Sequence, residues 1–92
     1  MDVDKMDETL IQKVLREIDT QLSKGVLPVH NGHLEHLFEA GDVLDYLLFM
    51  KEKRLISGDV VVKGSKHTPF RMTNIRLTYV GIKALRYRSP DF

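Results

Sequence analysis

The hydrophobic period of this chain changes at Gly58, and that change restricts the fold to one that joins a helical body to a β-hairpin. From Met6 to Leu22 the apolar residues Met6, Leu10, Ile11, Val14, Leu15, Ile18 and Leu22 recur every three or four positions, which places them on one face of a helix. Asp4 or Asp7 is the expected cap, and Lys24-Gly25 supplies a terminal cation and a left-handed stop, so the helix ends near Ser23. Val26-Leu27-Pro28-Val29 is too short and proline-interrupted for a helix and reads as an extended segment or a single edge strand. Asn31 as cap, Leu34, Leu37 and Phe38 at helical spacing, and Gly41 as terminator predict a second helix of about two turns. Asp42 then caps a third through about Arg54, followed by Leu55-Ile56 and closed by Ser57-Gly58.

Beyond Gly58 the pattern alternates and turns β-branched: Asp59-Val60-Val61-Val62-Lys63, then a polar turn through Gly64, Ser65, Lys66, His67, Thr68 and Pro69. The returning strand, about Phe70 to Leu77, puts Ile75 and Leu77 on one face and Phe70 and Met72 on the other, which requires a bend near Thr73-Asn74. Thr78 caps a last short helix, with Leu77 and Ile82 as a hydrophobic staple and Leu85 completing the inner face. Arg86 to Phe92 reads as a frayed tail. The order of elements, two helices joined by a tight Gly-containing turn after a longer one and then a hairpin, gives an α+β fold with a three-helix, helix-turn-helix core.

Size sets further bounds. Ninety-two residues make one domain, residues 1–92, whose single modest core buries roughly 60–65% of the unfolded surface and leaves little stability for a deep catalytic cavity. With no cysteine there is no disulfide framework, thiolate zinc site or redox chemistry. No apolar run approaches the roughly 20 residues that span a bilayer, and the acidic start Met1-Asp2-Val3-Asp4 is unsuited to a signal peptide. A cytoplasmic location is expected, with no membrane partner.

Tyr46 to Gly58 is similar to the third helix of winged-helix proteins and its exit into the wing. Ile75-Arg76-Leu77-Thr78-Tyr79-Val80-Gly81-Ile82-Lys83-Ala84-Leu85 resembles the I-x-L-T-x-x-G-x-x-x-L ending that many of them share. Together with the first helix these segments cover most of the chain, which looks most like short bacterial and phage winged-helix proteins, many without an assigned role. The resemblance implies a winged helix: a helix-turn-helix core, a two-stranded wing with a possible short third strand, and a short C-terminal helix. It also implies a non-enzymatic DNA-binding transcription regulator whose third helix enters the major groove while the wing touches phosphates or the minor groove. The expected partners are double-stranded DNA and either a protein partner or a second copy, since pairing adds stability and site size to so small a module.

The charge distribution bears on that expectation. The total is +1, but residues 1–45 carry ten acids and four bases, a net −6, while residues 46–92 carry ten bases and three acids, a net +7. Such asymmetry marks either a surface for nucleic acid or two halves that attract each other in the fold. The wing cluster Lys63, Lys66, His67 and Arg71 and the helix-end cations Lys51, Lys53 and Arg54 are the candidate phosphate contacts; the bland reading is that lysines there keep a hairpin soluble. On the third helix Val43, Leu44, Leu47, Leu48 and Met50 form one side, leaving Asp42, Asp45, Tyr46, Phe49, Glu52 and Lys53 opposite. That acidic and aromatic set suits a protein interface better than base edges, so Asp42, Asp45, Tyr46 and Phe49 define the alternative, a protein-interaction module. The other possibility is that Tyr46 and Phe49 pack under the N-terminal residues or the C-terminal tail.

Other chemistry is weakly indicated. His30, His33 and His36, with Glu35 and Glu39 nearby, have poor spacing for a metal, so no metal site is assigned. The glycines fall at element ends and turns rather than in a phosphate loop, and no serine sits on a strained elbow beside a base. No cofactor, small-molecule substrate or enzymatic activity is expected.

Overall fold

The structure is a computed structural model that describes residues 6–39 and 41–87. Helix α1 spans Glu8–Ser23 and buries Ile11, Val14, Leu15 and Ile18, the centre of the predicted stripe. Asp7 is its cap: the carboxylate accepts the N–H groups of Thr9 at 2.9 Å and Leu10 at 3.3 Å, two of the donors a helix start leaves unpaired. At the other end the N–H groups of Gly25 and Val26 fold back onto the carbonyls of Leu22 and Gln21, with Gly25 at φ +84°.

The predicted second helix is not an α-helix. Two 3-10 turns, Asn31–His33 and Glu35–Leu37, flank the fully buried Leu34. The reason lies in side chains that bond elsewhere. Asn31, expected as a cap, accepts the N–H of Met72 across the fold at 3.0 Å. His30 accepts the Gly32 N–H at 3.0 Å while His33 Nδ1 accepts the His30 N–H at 3.1 Å, closing the first turn on itself. The helical part of the core is therefore α1, this pair of turns, and α2, Val43–Glu52. Asp42 stands at the start of α2 without a side-chain capping bond.

The hairpin pairs β1, Ile56–Lys63, with β2, Thr68–Leu77, antiparallel. Among the described residues the sheet has two strands; the expected third is reduced to the buried Val29, whose carbonyl accepts the Ile75 N–H at 3.0 Å. Two register shifts place the extra residues on β2. One falls at Asn74, in the left-handed region at φ +53°, where the sequence required a bend. The other is at Phe70. Ile56, Met72 and Ile75 anchor the hairpin root in the core, whereas every residue from Val61 to Arg71 is exposed. The outer half of the hairpin thus projects from the body.

Thr78 joins β2 to α3, Tyr79–Tyr87. Its N–H donates to the Leu55 carbonyl at 3.1 Å, its hydroxyl donates to the Arg54 carbonyl, and the same oxygen accepts the Gly81 N–H at 3.0 Å. Ala84 faces the core, and Gln12 of α1 donates to the Ala84 carbonyl at 3.1 Å. Ile82 is 37% exposed, so the expected staple with Leu77 leaves much of its outer partner in solvent. Arg86, placed by the sequence in a frayed tail, lies within α3; residues 88–92 of that tail are outside the described residues. The result is a small α+β domain of three helices and one antiparallel hairpin, compatible with a winged helix.

Candidate nucleic-acid interface

The seven candidate phosphate contacts form two groups, and all seven are exposed. Lys63 ends β1, and Lys66 and His67 lie in the turn that follows, where Gly64 at φ +78° and His67 at φ +52° carry the reversal. Arg71 stands on β2 opposite Val61. The second group lies at the hairpin root: Lys51 in the last turn of α2, Lys53 at its end, and Arg54 at φ +63°, where the chain turns toward β1. Eight residues of β1 at roughly 3.3 Å each put the tip about 23 Å beyond Ile56. Among the described residues, no carboxylate lies within ion-pair distance of any of these cations. Lys53 instead sits 5.7 Å from the centre of the Phe49 ring.

The aromatic half of the expected acidic and aromatic face of α2 is inside the protein, as in the reading that packs Tyr46 and Phe49 under other segments. Tyr46 is 5% exposed and Phe49 9%, whereas Leu44 and Leu48, assigned to the core side, are half-buried. The Tyr46 hydroxyl accepts the Asp7 N–H at 3.0 Å, and its ring meets Phe38 at 5.2 Å, so the approach to α1 and the second 3-10 turn cover it. Seven of the ten residues of α2 are apolar, which leaves no polar side to set its orientation. What α2 presents outward is Asp45, Lys51 and Glu52, with Asp42 half-buried at its start.

The three histidines before α2 are engaged with neighbouring groups. His30 and His33 stack with centroids 4.0 Å apart, and His36 pairs with Glu17 of α1 at 3.2 Å. Among the described residues no group of three or more His, Asp or Glu is placed to hold a metal. Partial burial, then His33 and Arg71, hold the His30 imidazole below its ordinary 6.5, with Glu35 opposing them. Below that value the unfolded chain takes up a proton that the folded chain resists, so stability falls as pH drops through 6.5. Unfolding midpoints from neutral to mildly acidic pH should show this decline, and a His30→Asn variant should flatten it.

Sequence reasoning passed over the surroundings of the root cations. Lys51 and Arg54 border an open groove of about 540 Å³ between the end of α2, the start of the hairpin and the first turn of α3. Asp59 and Asn74, hydrogen-bonded to each other at 2.8 Å, and the exposed ring of Tyr79 complete its working surface. Beside Lys51, Arg54 and the Thr78 cap, the bend expected at Asn74 is the sequence signal that points there. Among the described residues no helix is long and apolar enough to cross a membrane. No protein-family model, curated protein or solved structure matches the chain.

Proposed function

We propose that this chain is a winged-helix protein that binds duplex DNA without enzymatic activity, as a transcription regulator, with the projecting hairpin as its wing. The observation that carries the reading is the exposed hairpin from Val61 to Arg71, which holds Lys63, Lys66, His67 and Arg71 away from every described carboxylate. A second set, Lys51, Lys53 and Arg54, stands at its root. Two cationic groups on a rod about 20 Å long reach more than one phosphate of a strand. The third predicted helix contributes little to base reading, because most of α2 is inside the protein and its outward side chains include Asp45 and Glu52. Binding is electrostatic and nearly blind to sequence.

The test is a triple variant, Lys63→Ala, Lys66→Ala and Arg71→Ala, titrated with duplexes of unrelated sequence. All three side chains are exposed, so the fold should persist. Affinity should fall by a similar factor for every duplex, and the salt dependence should become shallower by about two to three units of slope. Equal affinity and equal slope in variant and wild type would remove the hairpin from the interface.

A further inference from the structure

The groove at the hairpin root has a chemistry that plain phosphate contact does not use. It brings together Lys51 and Arg54 from the end of α2, the Asp59–Asn74 pair from the two strands, and Tyr79 from the start of α3. Tyr79 is the most exposed large apolar side chain among the described residues, at 75%, and the ammonium end of Lys83, which does not line the groove, stands over its ring 5.4 Å from the centre. A tyrosine ring in this position offers an apolar π-face with a polar tip.

We infer that this groove accepts one unpaired nucleotide of a DNA strand, with the base against Tyr79 and its phosphate at Lys51 and Arg54. Each part of a nucleotide meets a matching group. The ring supplies a stacking face, which tolerates any base because every base has a π-surface. The two cations supply phosphate neutralisation. Asp59 and Asn74 supply a hydrogen-bonding edge: the Asn74 amide donates to Asp59 at 2.8 Å, which leaves a carboxylate oxygen and an amide carbonyl to accept from exocyclic amines. Asp59 is the one acid lining the groove, bonded to Asn74 and not ion-paired with Lys51 or Arg54. A volume of about 540 Å³ is enough to seat a single nucleotide.

The inference rests on the DNA reading, since Lys51 and Arg54 serve both. It adds that the protein prefers duplexes with an unpaired nucleotide, at an overhang, bulge or melted step, to fully paired ones. The consequence is a protein that seats itself where a strand opens, with the wing along the adjoining backbone.

The experiment compares three probes on wild-type protein and on Tyr79→Ala and Tyr79→Phe: a blunt duplex, the same duplex with a short single-stranded overhang, and a free nucleoside monophosphate. Tyr79 is exposed, so both variants should keep the wild-type melting temperature, which is measured alongside. Wild type and Tyr79→Phe should bind the overhang duplex about tenfold tighter than the blunt one, and Tyr79→Ala should lose that preference while keeping blunt-duplex affinity. Equal binding of blunt and overhang duplexes by wild type, or a preference that survives in Tyr79→Ala, overturns the groove inference and leaves the DNA reading intact. Binding to neither duplex overturns both. Binding to the monophosphate alone shows a free-nucleotide site and overturns the strand assignment.

Discussion

Gly81→Ala should destabilise the protein by about 3 kcal/mol or more, lowering the melting temperature by at least roughly 12 °C. In an ordinary helix the change would help, since alanine exceeds glycine in helix propensity by about 1 kcal/mol. Here the added methyl would overlap the Leu55 carbonyl oxygen and lie 3.0 Å from the Leu55 carbonyl carbon. That carbonyl is backbone at the junction of α2 and β1 and already accepts the Thr78 N–H, so it has little room to move. The clash outweighs the propensity gain because relief requires separating α3 from the hairpin root. Gly25→Ala is the control: its φ of +84° resists a side chain, but no atom lies within 4 Å, so it should cost only about 1 kcal/mol. Urea unfolding of the two variants separates the steric effect from the conformational one. Equal, small losses would mean that α3 does not seat on Leu55 in this way.

The double variant Tyr46→Ser, Phe49→Ser should leave the chain unfolded or nearly so at 25 °C. Truncating one buried ring costs about 3–5 kcal/mol, and a domain of this size has a total stability of about 5–15 kcal/mol. Both rings belong to the continuous core formed with Ile11, Leu15, Leu47 and Met50. Tyr46→Phe isolates the hydroxyl, which accepts the Asp7 N–H beside the α1 cap, and should cost only about 1 kcal/mol. Circular dichroism and urea titration report both. A double variant with near wild-type stability would show that the rings lie at the surface and would restore the acidic-aromatic face as an interface.

Elements whose pattern is one-sided or whose punctuation is local were legible in the sequence. The stripe of α1 has a polar back, so its buried residues follow from spacing alone. Thr78 and Gly81 mark the handover from β2 to α3, and the alternation failing at Thr73-Asn74 marks the bulge. The second helix was misread because Asn31 bonds Met72, 41 residues away, a partner no local rule supplies. The orientation of α2 was misread for a different reason. With apolar residues around most of its circumference, a helical wheel has no preferred inside, and the covering groups, Asp7 and Phe38, come from other elements. The cations of the candidate interface were legible because charged side chains in a turn and at a helix end stay exposed whatever the packing. The groove beside them was not, since it joins Lys51 and Arg54 to Tyr79 through three separate elements.

If the hairpin and its root are a phosphate-binding surface, the affinity of the wild-type protein for a duplex depends steeply on salt concentration. A titration should show binding at low salt for any sequence, with log K falling linearly with log salt at a slope of about −3 to −5, as expected for three to six neutralised phosphates. Absence of binding at low salt, or an affinity indifferent to salt, would contradict it.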